Sequence, residues 1–144
     1  MPTNCASYDD VNLILRLFEL RREERMRQAR QWFTASFHAK NCGEVNALCP
    51  PGSDENASFR MVVTYWDMVA SFITGDVLQQ EIFFESGLEM LLVWVRTKDF
   101  LPEMRESRKD PTTWKNLETV AQAYAEWLNK RSPGSYEAFV ERVG

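Results

Sequence analysis

The chain opens with a long stretch of apolar residues at helical spacing. Ser7 is followed by Asp9 and Asp10, and a hydroxyl residue before two acids is typical of a helix start. No Gly or Pro occurs between Tyr8 and Ala39. Apolar positions recur every three or four residues at Val11, Leu15, Phe18, Met26, Ala29 and Phe33. The pattern predicts one N-terminal helix of about thirty residues.

The segment 40–58 interrupts this pattern. Its sequence, KNCGEVNALCPPGSDENAS, is rich in Asn, Gly, Pro and Ser and shows little periodicity. We expect a long, flexible connection there, with one short turn at residues 44–48.

The segment from Phe59 to Thr74 predicts a helix at the centre of the fold. On a helical wheel its apolar positions cover an arc of about 220°, roughly twice the width that a helix on a protein surface needs. Asp67 lies in the narrow polar arc that remains. We therefore expect this helix to contact neighbours on two sides.

The rest of the chain predicts several shorter helices. Gly75 is expected to close the central helix in a left-handed conformation, and Asp76 to cap the next one. A short helix then follows over 77–85, and another begins at Leu88 and stops or kinks at Pro102. Asp110-Pro111 predicts a further start, and Ser135 caps a short terminal helix. The prediction is an all-α bundle of five to six helices in a single domain, residues 1–144.

Composition and charge restrict the class of function. The content of hydrophobic residues, 44%, is that of a globular chain, and the net charge of −4 opposes general affinity for nucleic acid or an anionic membrane. The longest apolar run, MLLVWV over 90–95, is far shorter than a membrane span. Because three cysteines cannot all pair within one chain, we expect a soluble cytoplasmic protein with free thiols.

The sequence contains few groups suited to catalysis. His38 is the only histidine, and no nucleophile or phosphate-loop motif is present. His38, Cys42 and Cys49 are candidate metal ligands, but their spacing lacks a zinc knuckle, so an ordinary loop with two thiols is the preferred interpretation. We expect neither an enzyme nor a cofactor.

Two sets of acids invite a functional interpretation. Glu81, Glu85 and Glu89 are spaced by four, and we expect them to form a solvated acidic face rather than a metal site. For Asp67 we expect a structural hydrogen bond to Thr64, Ser71 or an arginine of another helix. The alternative is a small-molecule pocket formed by Trp66, Asp67 and Trp94.

An arginine-rich block marks a candidate interaction surface. Residues 16–30 contain six arginines and three glutamates, and Arg21, Arg22 and Arg25 lie at its centre. Surface ion pairing is the simpler interpretation, while a protein partner or a second copy of the chain is the functional one.

Residues 59–84, FRMVVTYWDMVASFITGDVLQQEIFF, and the later MLLVWV resemble small bacterial all-helical proteins grouped only as domains of unknown function. The resemblance covers about Phe59–Leu128 and rests on helix patterning. It implies an all-helical fold and supplies no catalytic residues. Some relatives carry a membrane helix ahead of this domain.

These observations predict a non-enzymatic protein-interaction or regulatory module. One form of this prediction is a homodimer through the first helix or through excess apolar helix surface. The alternative is a small-molecule-binding or sensing bundle with a cavity near Trp66 and Asp67. Neither nucleic acid nor membrane is expected as a partner.

Overall fold

The computed structural model describes residues 5–144 and is all-helical within them. In chain order the helices are α1 (Tyr8–Arg21), α2 (Glu24–Ser36), α3 (Cys42–Leu48), α4 (Asp54–Thr74), α5 (Gln80–Phe84), α6 (Leu88–Thr97), α7 (Leu101–Arg108), α8 (Lys115–Arg131) and α9 (Ser135–Val143). The predicted fold class is confirmed. Residues 5–144 form nine helices instead of the predicted five or six, because the first predicted helix and the one from Leu88 each divide into two and α3 forms within the predicted connection.

The predicted single N-terminal helix was wrong, because it breaks after Arg21. Glu23 has extended backbone (φ −57°, ψ 141°), and its carboxylate accepts hydrogen bonds from the backbone amides of Arg25 and Met26. This carboxylate caps α2 and satisfies amides that the break leaves without helical partners. A helix can therefore stop here without Gly or Pro.

The predicted connection over 40–58 contains more helix than its composition suggests. Asn41 caps α3, and Ser53 caps α4 by accepting a hydrogen bond from the amide of Asn56. The central helix therefore begins at Asp54, five residues earlier than predicted.

Helix α4 occupies the centre of the bundle, as its wide apolar arc predicted. It packs against α2, α6 and α8. Its buried side chains join one core shared by most of the helices, and they are Phe59, Val62, Val63, Trp66, Val69 and Ala70.

The end of α4 differs from the prediction. Gly75 has φ −82°, and Asp76 takes the left-handed conformation instead, with φ 61°. Asp tolerates this conformation better than most residues with a Cβ. Gly75 is needed for space, since a Cβ there would lie 2.9 Å from the Ser71 carbonyl oxygen. Asp76 does not cap α5, which begins after Gln79.

Two further helix boundaries are the one between α6 and α7 and the start of α8. Helix α6 ends at Thr97 and α7 begins at Leu101 with Pro102 in its first turn, so the chain stops and restarts there. The start predicted at Asp110-Pro111 was wrong. Asp110 caps a turn by accepting from the Thr112 amide, and α8 begins at Lys115. No helix within residues 5–144 is long and apolar enough to cross a membrane.

Candidate functional site

Helix α1 begins at a capping box and is tied to the body of the protein by the same carboxylate. Asp10 accepts hydrogen bonds from the amide and hydroxyl of Ser7. Its other oxygen accepts from the backbone amide of Gln79, 2.9 Å away. These hydrogen bonds lower the pKa of Asp10, because backbone amides favour the ionised form. One acid thus caps α1 and joins it to the start of α5.

The last turn of α1 lies over a half-buried polar group that we name the Glu89 cluster: Arg21, Arg30, Trp66 and Glu89. Arg30 binds the Glu89 carboxylate through two nitrogens, at 2.7 and 2.8 Å. The Trp66 indole donates to the same carboxylate at 3.2 Å. This bidentate pair raises the pKa of Arg30.

Arg21 adds a second positive charge to the Glu89 cluster. Only 8% of the residue is exposed, and its guanidinium lies 4.0 Å from the centre of the Phe18 ring and 5.1 Å from that of Trp66. Burial lowers the pKa of Arg21, and Glu89 opposes that effect. Arg30 also donates to the Arg21 carbonyl, so the cluster joins α1, α2, α4 and α6.

A second hydrogen bond attaches the middle of α1 to α4. The Tyr65 hydroxyl donates to the Leu17 carbonyl oxygen at 2.7 Å. Burial raises the pKa of Tyr65 to about 12, so the phenol keeps the proton that this bond requires at neutral pH.

The outer face of α1 carries three exposed apolar residues. Tyr8, Val11 and Leu15 are 79%, 39% and 56% exposed, and at 100° per residue they fall within about 60° of one another. We name these three residues the outer stripe. The predicted apolar face of the first helix included Val11 and Leu15, and the structure instead turns Leu17 and Arg21 inward. The helix has two apolar faces, and the sequence pattern identified only the outer one.

The arginines predicted as an interaction surface are in three different environments. Arg21 belongs to the Glu89 cluster, and Arg25 is half-buried and donates to the Ser58 hydroxyl at 3.2 Å. Arg22 is exposed at the end of α1. These residues do not form one continuous cationic face.

The residues of the predicted pocket point in different directions. The recess beside Trp66 has a volume of about 10 Å³, room for a single water molecule. Asp67 accepts a hydrogen bond from the Leu117 amide at 3.0 Å, in the first turn of α8, and its burial raises its pKa. Trp94 is buried in the core. Asp67 therefore has a structural hydrogen bond, but its partner is the Leu117 amide and not Thr64, Ser71 or an arginine, as the sequence predicted.

The candidate metal ligands do not gather around one point. The Cys49 thiol is buried and donates to the Val45 carbonyl, while His38 is exposed. Burial, Arg96 and Lys40 lower the pKa of His38, and burial together with Glu103 raises that of Cys42. Within residues 5–144 no three His, Cys, Asp or Glu side chains are placed to hold a metal ion.

Sequence reasoning missed the role of Glu89. It was assigned to a solvated acidic face with Glu81 and Glu85, but its side chain is 20% exposed and paired with Arg30. The available signal was its position as the only acid in the apolar segment 88–95. A lone charge on a buried helix usually has a partner. That partner, 59 residues away, follows only from the fold.

No curated protein and no solved structure matches the chain. The model of a family described as a domain of unknown function, DUF4760, matches residues 7–127, which include α1 to α7 and most of α8. The chain therefore belongs to the DUF4760 family.

Proposed function

We propose that this protein is a non-enzymatic protein-interaction or regulatory module that associates with a second copy of itself through α1. The observation that carries the proposal is the outer stripe of Tyr8, Val11 and Leu15. Single exposed apolar residues are ordinary on a protein surface, but a continuous group along one helix face is typical of a docking site.

The inner face of α1 strengthens this interpretation. Asp10 and Arg21 are buried on the side that faces the body, where a helix usually places apolar residues. Polar groups hold α1 in position, and part of its apolar surface remains on the outside. A partner helix that covers the outer stripe gains the hydrophobic free energy that the folded monomer leaves unused.

The charges beside the outer stripe favour a second copy in antiparallel orientation. Asp9 and Arg16 are exposed, lie on the same flank of the stripe and are seven residues apart. When two α1 helices pair antiparallel, the same flank of the outer stripe in each copy comes together. Asp9 of each copy then faces Arg16 of the other, and Val11 of each copy lies near Leu15 of the other. A parallel pair brings opposite flanks together and lacks this arrangement. Opposite charges at the edge of an interface set orientation more than affinity.

The expected dimer is weak. Helix α1 has 14 residues and is about 21 Å long, so one pair of helices covers less area than the ~1,200 Å² of a typical stable interface. Dissociation in the micromolar range or above is therefore expected, and sedimentation velocity over a concentration series is the appropriate measurement.

Leu15→Asp tests the role of the outer stripe. An acid at the centre of the interface should shift the dimer to monomer, with association weakened at least about tenfold. The matched control is Leu88→Asp, which changes another exposed leucine, 41% exposed on α6. Thermal melts establish that both variants fold. A wild-type chain that stays monomeric at every concentration, or equal effects of both variants, would remove the proposal.

Charge reversal tests the orientation. Asp9→Lys and Arg16→Glu should each weaken association, and the double variant D9K/R16E should restore it, because the pair is re-formed with reversed signs. Arg22→Glu, directly after the last residue of α1, is the control, and it measures any contribution of the arginine block. Failure of the double variant to recover association would contradict the antiparallel arrangement while leaving the outer stripe in place.

We also propose that the protein works in the cytoplasm. Cys42 and Cys49 are free thiols, and free cysteines are usual in a reducing compartment. Titration of unfolded, freshly purified protein with a thiol reagent should give at least two reactive groups. A smaller number would indicate oxidation and oppose the assignment.

A further inference from the structure

A second surface, separate from α1, has the shape and chemistry of a small-molecule site. An open groove of about 330 Å³ lies where α5 and α6 meet α8 and α9. Its volume is at the lower end of the range of ligand pockets, about 300–1,000 Å³. We name it the α8–α9 groove and define it by Phe84, Leu88, Leu128, Arg131, Phe139 and Arg142.

The floor of the groove is apolar and preformed. Phe84 stacks on Tyr124 with their ring centres 4.2 Å apart, and the Tyr124 hydroxyl donates to the Phe84 carbonyl oxygen. Phe139 and Leu128 complete the floor, and Leu88 is exposed at its wall. Because these rings are already held in place, a hydrocarbon chain can bind without first ordering the site.

Two arginines give the rim of the groove a positive charge in a chain whose net charge is −4. The Arg131 guanidinium lies 4.3 Å from the centre of the Trp127 ring, and that of Arg142 lies 5.3 Å from the centre of the Phe139 ring. Stacking on aromatic rings orients the guanidinium groups and leaves their N–H donors available.

The acids near these arginines leave them largely unneutralised. Glu85, the acid that lines the groove, is 3.7 Å from Arg131, and both side chains are more than half exposed. Such a pair contributes little and is easily exchanged for another anion. Among residues 5–144 no acid lies within ion-pair distance of Arg142.

We propose that the α8–α9 groove binds an amphiphilic carboxylate, a medium-chain fatty acid or a molecule of the same kind. Its hydrocarbon chain lies on Phe84, Leu128 and Phe139, and its carboxylate is held by Arg131 and Arg142. The planar fork of Arg matches a carboxylate, and the apolar floor accounts for the chain. This site is independent of the dimer proposed for α1.

Calorimetry with decanoate, below its micellar concentration, tests the proposal. Decanoate should bind, and decanol and decyltrimethylammonium should bind at least about tenfold more weakly, because they lack the charge that the arginines recognise. In a series from hexanoate to decanoate, each methylene that becomes buried should strengthen binding about fourfold. Intrinsic tryptophan fluorescence, to which Trp127 beside Arg131 contributes, supplies a second readout.

Variants locate the site. Arg131→Gln and Arg142→Gln should each weaken decanoate binding about tenfold and reduce the preference over decanol. Arg108→Gln is the matched control, since Arg108 also lies over an aromatic ring, that of Trp114, but outside the groove. No binding of decanoate to the wild type, equal binding of decanol, or full affinity in both groove variants would overturn the proposal.

Discussion

Helices α1 and α8 belong to the same bundle but are held by opposite means. Helix α8 buries an apolar face, with Leu117 and Ala121 fully covered, and presents polar residues such as Gln122 and Glu126 to solvent. Helix α1 buries Asp10 and Arg21 and presents the outer stripe to solvent. The polarity of α1 is thus partly inverted relative to that of α8.

The proposed dimer assigns stability to α8 and association to α1. Burial of apolar surface is the largest favourable term in folding, and α8 contributes it to the core that it shares with α4. Helix α1 relies on specific polar contacts, those of Asp10, Tyr65 and the Glu89 cluster. Apolar surface that is not needed for attachment is available to a partner.

The comparison is tested most strongly by truncating one leucine in each helix. Leu117→Ala in α8 should lower the free energy of unfolding by about 3 kcal/mol, because it leaves a cavity in a fully buried site. Leu15→Ala in α1 should change it by less than about 0.5 kcal/mol, since that side chain already contacts water. Urea denaturation at low protein concentration measures both, and similar losses would show that the outer stripe is part of the core.

Removal of the carboxylate in the Glu89 cluster should have the next largest effect on the free energy of unfolding. Glu89→Gln leaves Arg21 and Arg30 without their carboxylate, and because the pair is about one-fifth exposed we expect a loss of about 2 kcal/mol. Glu85→Gln removes an exposed acid 3.7 Å from Arg131 and is the control, with an expected loss below about 0.5 kcal/mol. Equal losses of stability for the two variants would mean that the Glu89 cluster stabilises the fold no more than an exposed ion pair does.

A single hydroxyl isolates the contact between α1 and α4. Tyr65→Phe removes the donor to the Leu17 carbonyl and should cost about 1 kcal/mol. Hydrogen exchange should show that the amides of α1 lose more protection than those of α8. Tyr8→Phe, at a residue 79% exposed, should have no effect on either measurement.

The contributions of Asp10 and Asp67 to stability should respond oppositely to acid. The pKa of Asp10 is lowered in the fold, so its contribution is complete above its unfolded pKa and is lost as the pH falls through the folded value. The pKa of Asp67 is raised, so its contribution is present below the unfolded pKa and is lost as the pH rises through the folded value. Asp10→Asn should therefore reduce the loss of stability in acid, and Asp67→Asn should increase it.

The same variants differ at neutral pH, where the expected effects are smallest. Asp10→Asn loses an acceptor for the Ser7 amide and should cost about 1 kcal/mol. Asp67→Asn keeps an oxygen for the Leu117 amide without burying a charge, so stability should change by less than about 0.5 kcal/mol or rise slightly. A large loss in Asp67→Asn would show that the charge itself is required by α8.

Local patterns predicted much of the fold because they depend on neighbours in the chain. The 3.6-residue periodicity identified α4 as central, and Pro102 marked the interruption between α6 and α7. The predicted roles of individual residues at helix ends were less accurate. Asp76 rather than Gly75 is left-handed, and Asp110 caps a turn rather than a helix.

The candidate sites were harder to predict because their parts are distant in sequence. Arg30 and Glu89 are 59 residues apart, and the α8–α9 groove combines Phe84 with Arg142. The pattern around Trp66 identified an unusual segment, but its aromatic residues fill the core instead of lining a pocket.

The sequence by itself determined that the chain is all-helical, which segments carry an apolar face and that Asp67 needs a partner. Only the tertiary structure decided which of the two apolar faces of α1 is buried, because that choice depends on Gln79, Tyr65 and Glu89 lying beside its polar residues. Periodicity records that a face is apolar, whereas burial is a property of the surface that another part of the chain brings against it.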